Sequence, residues 1–336
     1  MNDPSRYELP YREPWDWQQF HDHFGLRLLP AVEHLDDGGY GRTFRFRAVT
    51  GWLQVRPLSD RPALELWLSR SCAAEHPALV ARVRKMFDLD ADPQAITAHL
   101  ARDALLRPLA LEKPEVRVPA AFDPFEQAIR AIAGQQVSIK AAVTITRRLV
   151  ERLGEPLPDA PSSALTLLFP TPEAIAGASL MGIGMPAKRL LAMQRFAEAV
   201  AQGRLALDIE QGTEDLVERL CALPGIGPWT AEYIALRGFG APDAFPAADL
   251  GLLKAPLWGA AGMSARALRA RADAWRPFRA YAAIHIWRDY ARGTIPMRPP
   301  RTESLSDGAW AATAEPFRSG RPPAPSRSAR SPASRR

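Results

Sequence analysis

The sequence predicts an α+β protein with a small N-terminal domain of antiparallel strands and helix, followed by a larger and mostly helical part. Alternating apolar and polar residues, typical of half-buried strands, appear within the first 70 residues. Helical spacing of apolar residues dominates from about residue 93 onward. From these patterns we place an α+β domain at 1–100, a helical core at 101–298 and a Pro/Ser/Arg-rich tail at 299–336.

The N-terminal domain is predicted from a change of hydrophobic period along the chain. Residues 1–14 are polar and interrupted by proline. Residues 15–69 are predicted to form strands, because the stretches 43–47 and 64–68 alternate apolar with polar or exposed positions. The period then becomes helical over 76–89, which predicts a helix there.

The helical part begins with a strong start signal at Asp123. Asp123 is a good N-cap, Pro124 fits the first helical position, and Glu126 can reach back to the capping backbone N–H. This helix is expected to end at Ala133, before Gly134. Comparable signals predict further helices at 138–153, from 171, at 186–202, at 214–222, at 229–237 and within 264–292.

Composition excludes several classes of protein. With Cys72 and Cys221 as its two cysteines, the chain can build neither a disulfide scaffold nor a four-cysteine zinc or iron–sulfur site. No run of about 18 apolar residues is present, and the N-terminus lacks the apolar core of a signal peptide. We therefore expect a cytoplasmic protein, associated with the nucleoid if bacterial, and no membrane partner. No protein partner can be inferred.

The basic charge is concentrated in the tail. The formal net charge is +6, and residues 301–336 contain seven arginines against three acidic residues. The remainder of the chain is close to neutral, so net charge alone is weak support for nucleic-acid binding. The tail is also rich in proline and serine, which predicts disorder with weak attraction to phosphates.

One short turn between two predicted helices carries chemical information. It consists of Leu223, Pro224, Gly225, Ile226 and Gly227, and a new helix follows at once. Glycine permits positive φ and close backbone approach, and the free N–H groups of the following helix attract anions such as nucleic-acid phosphates. An ordinary helical hairpin capped by glycine would explain the same residues.

The region after this hairpin helps to choose between an anion-binding turn and an ordinary helical hairpin. A loop rich in glycine and proline, 238–248, leads to Asp249, which lies 20 residues after Trp229. An aspartate at a helix start is usually an N-cap. Here, however, the hairpin, the loop and the aspartate together resemble the helix-hairpin-helix DNA glycosylase superfamily, whose catalytic aspartate has this spacing.

The resemblance is closer to one family, the 3-methyladenine DNA glycosylases II of the AlkA type, and extends over about residues 5–297. It implies an N-terminal α+β domain and two helical subdomains, with a flipped base held in the cleft between the helical parts. Besides the hairpin, the segments that carry the resemblance are 14–17, 122–132, 134–138, 185–189 and 281–287.

The family resemblance also implies a role for individual residues. Asp249 matches the catalytic aspartate, and Gln136 matches the wedge that fills the gap left in the DNA stack, although that wedge is aliphatic in the best-known member. The hairpin residues 223–227 would contact the DNA backbone. The base-pocket positions are Trp287, Tyr233 and Trp229. The backbone carbonyls of Cys221, Leu223 and Ile226 match those that hold a monovalent cation, Na⁺ or K⁺; no cofactor is implied for catalysis, and His285 is expected to be structural.

The implied activity is hydrolysis of the N-glycosidic bond of alkylated bases, such as 3-methyladenine and 7-methylguanine, in double-stranded DNA during base excision repair. Trp229 occupies the position where bifunctional relatives have a Schiff-base lysine, so we predict no lyase activity. Two alternatives remain at this point: another base preference (hypoxanthine, 1-methyladenine or oxidised guanine), or a non-catalytic module that binds damaged DNA.

Overall fold

The structure, a computed structural model, describes residues 4–294 and confirms the predicted α+β architecture. A five-stranded antiparallel sheet forms first, with strand order β1-β5-β4-β3-β2. A mostly helical part follows. The strands of the sheet are β1 (Ser5–Pro10), β2 (Glu33–Asp36), β3 (Gly39–Phe46), β4 (Val49–Pro57) and β5 (Ala63–Leu68).

The sheet packs its core against helices α1 (Trp17–Gly25) and α2 (His76–Met86). Aromatic rings fill this core, with Phe87 in ring contact with Phe20, Phe24 and Tyr40. All four side chains are buried. Such rings bury large apolar areas, so this small sheet has a substantial core of its own.

Two N-terminal elements differ from the sequence prediction. β1 lies within residues 1–14, where polar residues and prolines give no strand signal, and it pairs with β5 along its whole length. The helix α1 lies within residues 15–69, where strands were expected. Asp16 caps α1 by accepting a hydrogen bond from the Gln18 N–H, and Phe20 and Phe24 occupy one buried face at helical spacing. The alternation farther along the chain outweighs this short helical signal when the sequence is considered alone.

The predicted helices of the second part are confirmed, with small shifts at their ends. Asp123, Ser138 and Thr171 each cap a helix through their side chains, as expected. The helices are α3 (Pro93–Leu100), α4 (Arg107–Glu112), α5 (Pro124–Ala133), α6 (Ile139–Leu153), α7 (Pro172–Gly177), α8 (Ala187–Ala201), α9 (Thr213–Cys221), α10 (Pro228–Phe239), α11 (Leu250–Leu253), α12 (Ala265–Ala272) and α13 (Arg279–Thr294).

A buried cluster of four charged residues joins the sheet to the helical part. Arg42 on β3 contacts Glu126 on α5 at 2.5 Å, and Arg130 contacts Glu33 at 2.8 Å and Glu126 at 2.6 Å. Burial alone would raise the pKa of Glu126, but the charges of Arg42 and Arg130 outweigh it and hold that pKa below its ordinary value. The charges are therefore paired across the junction, as buried charges must be.

The two hydrophobic cores do not divide at a single point in the chain. Ile96 and Leu100 belong to the helical core, whereas Phe122 belongs to the core of the sheet.

Between residues 4 and 294, no helix is both long enough and apolar enough to cross a bilayer. The disorder predicted for the tail at 299–336 concerns residues outside the described range.

Candidate active site

The hairpin between α9 and α10 has the tight geometry that its glycines predict. Gly225 has φ of +94°, and a Cβ there would lie 2.5 Å from the Cβ of Ala192 on α8. Gly225 is therefore required by the fold itself. Gly227, by contrast, has ordinary extended backbone, and a Cβ there would meet nothing within 4 Å.

The start of α10 is open to a ligand. Gly227 is its N-cap residue and offers no side-chain hydrogen bond to the first turn, while Pro228 occupies the first helical position. Pro224, Gly225 and Gly227 are exposed, whereas Ile226 is buried and anchors the turn. The N–H groups and positive dipole end of this helix therefore face solvent and form a site suited to an anion.

Asp249 is the N-cap of α11, a single helical turn. Its Oδ1 accepts hydrogen bonds from the backbone N–H groups of Gly251 at 2.9 Å and Leu252 at 3.3 Å. Two indoles also donate to it: Trp287 Nε1 to Oδ1 at 2.7 Å and Trp229 Nε1 to Oδ2 at 2.9 Å. Four donors thus fix the carboxylate, and Oδ2 retains a lone pair for another partner.

Three aromatic rings stand beside this carboxylate. Trp229 and Tyr233 are stacked, with centroids 5.4 Å apart and planes 14° from parallel. Tyr233 meets Trp287 edge to face at 6.2 Å and 72°. All three side chains are half-buried. The structure therefore brings together the predicted catalytic and base-pocket residues, whose roles stay predictions.

Gly251 allows this close assembly. A Cβ at Gly251 would lie 3.1 Å from Trp287 Cδ1, 3.2 Å from Asp249 Oδ1 and 3.3 Å from Tyr290 Cδ1. These distances are shorter than ordinary van der Waals contact, so any side chain here would displace at least one of the three groups. Sequence reasoning did not identify Gly251.

Two arginines beside the rings were also missed. Arg237 lies one helical turn after Tyr233 on α10, and its Cζ is 5.2 Å from the ring centroid of Trp287. Arg27 comes from the loop after α1, and its positive charge acts on the Tyr233 hydroxyl. The spacing of Trp229, Tyr233 and Arg237 at i, i+4 and i+8 could have revealed Arg237. No local signal points to Arg27.

The two arginines alter the electrostatics of the pocket. Burial alone would raise the pKa of Tyr233, but the charges of Arg27 and Arg237 outweigh it and lower that pKa from its ordinary value. Burial lowers the pKa of Arg237 to about 10. The guanidinium of Arg237 is therefore charged at neutral pH.

The predicted wedge lies in a loop that is tied to the hairpin. Gln136 is exposed and has φ of +56°, which is uncommon for a residue with a side chain. Its neighbour Gln135 donates through Nε2 to the carbonyl of Gly225 and to Thr230 Oγ1, both at 3.0 Å. Arg189 donates to the backbone carbonyl of Gln135. The loop is therefore held in place relative to α10.

The remaining predicted residues fall into two groups. His285 is buried on α13, and burial lowers its pKa to about 3, so the imidazole is neutral. Cys221, Leu223 and Ile226 lie around the end of α9, and the Leu223 carbonyl accepts a hydrogen bond from the Ile226 N–H at 3.1 Å. Across residues 4–294, no three or more His, Cys, Asp or Glu side chains are grouped to hold a metal ion.

Comparison with known proteins places the chain in a family. Residues 6–123 match the AlkA N-terminal domain, and residues 129–270 match the HhH-GPD superfamily base excision DNA repair protein. DNA-3-methyladenine glycosylase 2 of Escherichia coli K12 is 34% identical over 293 residues, which cover 86% of this chain and 99% of that protein. The chain belongs to the AlkA-type DNA-3-methyladenine glycosylase family.

Two further proteins are similar to this AlkA-type chain. The probable bifunctional transcriptional activator/DNA repair enzyme AlkA of Mycobacterium tuberculosis H37Rv is 38% identical over 279 residues, 83% of this chain. The chain spans 56% of that relative's length. A 3-methyladenine DNA-glycosylase from Archaeoglobus fulgidus superposes with a TM-score of 0.74 at 24% identity, covering 87% of this chain and 100% of the other. This structural similarity supports the fold described above.

Proposed function

We propose that this protein is a monofunctional DNA glycosylase that hydrolyses the N-glycosidic bond of alkylated bases in double-stranded DNA. The observation that carries the proposal is the Asp249 carboxylate, held by the indole N–H groups of Trp229 and Trp287 beside Tyr233. The relatives named as DNA-3-methyladenine glycosylases support the same substrate class.

Asp249 supplies the chemistry in this proposal. Breaking the glycosidic bond leaves positive charge on the sugar, and a fixed carboxylate nearby stabilises that charge. Oδ1 is occupied by three donors, whereas Oδ2 accepts only from Trp229 in the described structure and can also orient an attacking water. Water then contributes its hydroxide to C1′, and its proton passes to solvent through Asp249, because a cationic alkylpurine leaves as a neutral base.

The hairpin would hold the DNA backbone. Its turn is exposed, and the first turn of α10 offers uncapped N–H groups to a phosphate. The fold does not require glycine at residue 227, because a Cβ there would meet nothing within 4 Å. Close approach by the DNA backbone gives a reason for a glycine at this position.

A monovalent cation fits the same turn. The backbone carbonyls of Cys221, Leu223 and Ile226 would hold Na⁺ or K⁺, since the Leu223 carbonyl has one lone pair left beside its hydrogen bond from Ile226. The ion would add positive charge beside the bound phosphate. It would have no part in the hydrolysis itself.

Base flipping requires a group that occupies the vacated space in the duplex. Gln136 is exposed in a loop that Gln135 ties to the hairpin by hydrogen bonds. The wedge residue and the hairpin that would contact the DNA backbone would therefore keep a fixed relative position. A glutamine wedge can also hydrogen-bond the unpaired partner base. The flipped base would then stack against the rings of Trp229, Tyr233 and Trp287.

The proposed absence of lyase activity rests on Trp229. It stands where a bifunctional enzyme needs a lysine, and its indole N–H is engaged by Asp249. The attack on C1′ is therefore assigned to water. A substrate of this kind places the protein with the DNA, in the cytoplasm and on the nucleoid if the source is bacterial.

A single release assay tests the proposal. The purified protein is incubated with duplex DNA carrying methylated purines, and the free bases are separated and quantified. We expect release of 3-methyladenine and 7-methylguanine, with guanine released far more slowly. Tight binding without release of any base would favour a damage-binding module. Companion duplexes carry hypoxanthine, 1-methyladenine or oxidised guanine, and release from these without release of 3-methyladenine or 7-methylguanine would favour another base preference.

A further inference from the structure

The N-terminal domain contributes a charged side chain to the base pocket. Arg27 follows α1, its guanidinium donates to the His23 carbonyl at 3.2 Å, and its positive charge helps to lower the pKa of the Tyr233 hydroxyl. Its backbone carbonyl in turn accepts a hydrogen bond of 2.9 Å from Arg130 of the buried charge cluster. Both ends of the residue are therefore fixed, and the helical part alone would lack this cation.

Arg237 adds a second positive charge from the opposite side. It is 6% exposed, donates to the Pro119 carbonyl at 3.1 Å, and its charge also helps to lower the pKa of Tyr233. Its guanidinium also covers a face of Trp287. A face that attracts one cation has less attraction left for a second, so Trp287 selects weakly for a positively charged base.

The neighbouring His23 does not contribute charge. Burial and then the charges of Arg27, Arg237 and Arg130 hold the pKa of His23 well below its ordinary value. The two guanidinium groups near Tyr233 therefore exceed the single negative charge of Asp249. This excess of positive charge is unexpected for a pocket that would select positively charged bases.

The charge of the leaving base explains what these cations would do. When the C1′–N bond breaks, its electron pair stays with the base. A cationic alkylpurine therefore departs as a neutral molecule, whereas a neutral lesion departs as an anion that must later take a proton from water. Fixed positive charge near the base opposes the binding of a cationic alkylpurine. The same charge stabilises the anion that forms when a neutral lesion departs.

We propose that Arg27 is a specificity-determining residue which, with Arg237 and through the Tyr233 hydroxyl, reduces the preference of the site for cationic over neutral lesions. The proposal rests on the glycosylase function proposed above. It assigns the sheet domain a part in substrate choice, through a residue that no motif in the catalytic core supplies.

The test compares excision of a cationic and a neutral lesion by the same variants. Single-turnover rate constants with saturating protein are measured on duplexes containing 7-methylguanine or hypoxanthine, and their ratio is calculated. In Arg27→Met we expect the ratio to rise about tenfold in favour of 7-methylguanine, the scale of one charge interaction at a partly exposed site. In Arg27→Lys, which keeps the charge, the ratio should stay near the wild-type value.

Two further variants separate charge at the pocket from other effects. Arg61→Met removes a charge from an exposed residue of the sheet domain, paired with Glu8 and Asp60, and should leave the ratio unchanged. Tyr233→Phe keeps the ring but loses the hydroxyl, and should raise the ratio in the same direction as Arg27→Met. Should Arg27→Met fail to fold, Tyr233→Phe and Arg27→Lys carry the test.

The outcomes are distinct. An unchanged ratio in folded Arg27→Met, or an equal change in Arg27→Met and Arg27→Lys, overturns the role of Arg27 while leaving the glycosylase function intact. A wild-type protein that releases neither base overturns the proposed function itself, and the inference with it.

Discussion

Trp229 and Asp249 are 20 residues apart in the chain, and a hydrogen bond of 2.9 Å joins the indole Nε1 of the first to the Oδ2 of the second. Trp287 makes the equivalent bond to Oδ1 at 2.7 Å. Two of the three rings proposed to receive the base therefore also orient the carboxylate. A substitution in the pocket wall should change catalysis as well as recognition.

Replacing the carboxylate should abolish excision without abolishing DNA binding. Asp249→Asn keeps an oxygen for the helix cap but removes the negative charge and presents an N–H₂ group to an indole donor. We expect excision to fall at least about a hundredfold. Affinity for duplex DNA with an abasic analogue, measured by fluorescence anisotropy, should remain close to that of the wild type. Asp273→Asn, at an exposed position, serves as the control; excision by Asp249→Asn within tenfold of wild type would refute the assignment.

The two roles of Trp287 can be separated by two substitutions. Trp287→Phe keeps an aromatic ring but loses the hydrogen bond to a charged acceptor, so we expect excision to fall about tenfold to a hundredfold. Trp287→Ala also loses the stacking surface and should slow release of 3-methyladenine and 7-methylguanine further. Thermal unfolding of both variants provides the control for folding. Unimpaired release of both bases by a folded Trp287→Ala variant would remove this residue from the site.

A single methyl group at Gly251 should disturb the site more than the fold. In Gly251→Ala the new Cβ would crowd Asp249, Trp287 and Tyr290, and we expect about a tenfold loss of excision from the displaced carboxylate. Gly177→Ala is the matched control, because a Cβ there meets nothing within 4 Å. Equal activities of the two variants would show that the close approach at Gly251 has no catalytic role.

The absence of a lysine in the hairpin predicts the products of the reaction. Borohydride added during turnover should trap no covalent protein–DNA adduct, and the DNA should remain unbroken until alkali is added. A known bifunctional glycosylase treated in parallel shows that trapping works. A borohydride-trapped adduct with the wild-type protein would contradict the monofunctional assignment, because it would require an amine nucleophile.

Asp88 should make stability depend on pH. It accepts hydrogen bonds from the Val118 N–H at 3.0 Å and the Tyr281 hydroxyl at 2.8 Å, and burial raises its pKa to about 6. Because the folded protein holds this proton more tightly than the unfolded chain, stability should decrease as pH rises from about 4 to 6. The full decrease is about 3 kcal/mol, at roughly 1.4 kcal/mol per pKa unit. Melting temperatures measured from pH 4 to pH 8 should show a shallower decrease in Asp88→Asn; identical slopes would exclude Asp88 as the source.

Local signals account for most of what the sequence predicted correctly. The caps at Asp123 and Ser138 and the turn at Gly225 depend on residues close together in the chain, so spacing alone identifies them. Gln136 as a wedge came from the family pattern. Arg27 could not be found in this way, because its contact with Tyr233 depends on how the sheet domain packs against α10. Strand β1 was missed because its partner lies far along the chain.

The four-residue charge cluster also constrains how such a protein can be recombined. Glu33 and Arg42 come from the sheet, and Glu126 and Arg130 come from the first helix after it. A chimera that joins this sheet to the helices of another family member would need all four residues. A mismatch at one of them would leave a buried charge without its counterpart, at about 3–5 kcal/mol. The two halves of the protein are therefore exchangeable only together with the ion pairs between them.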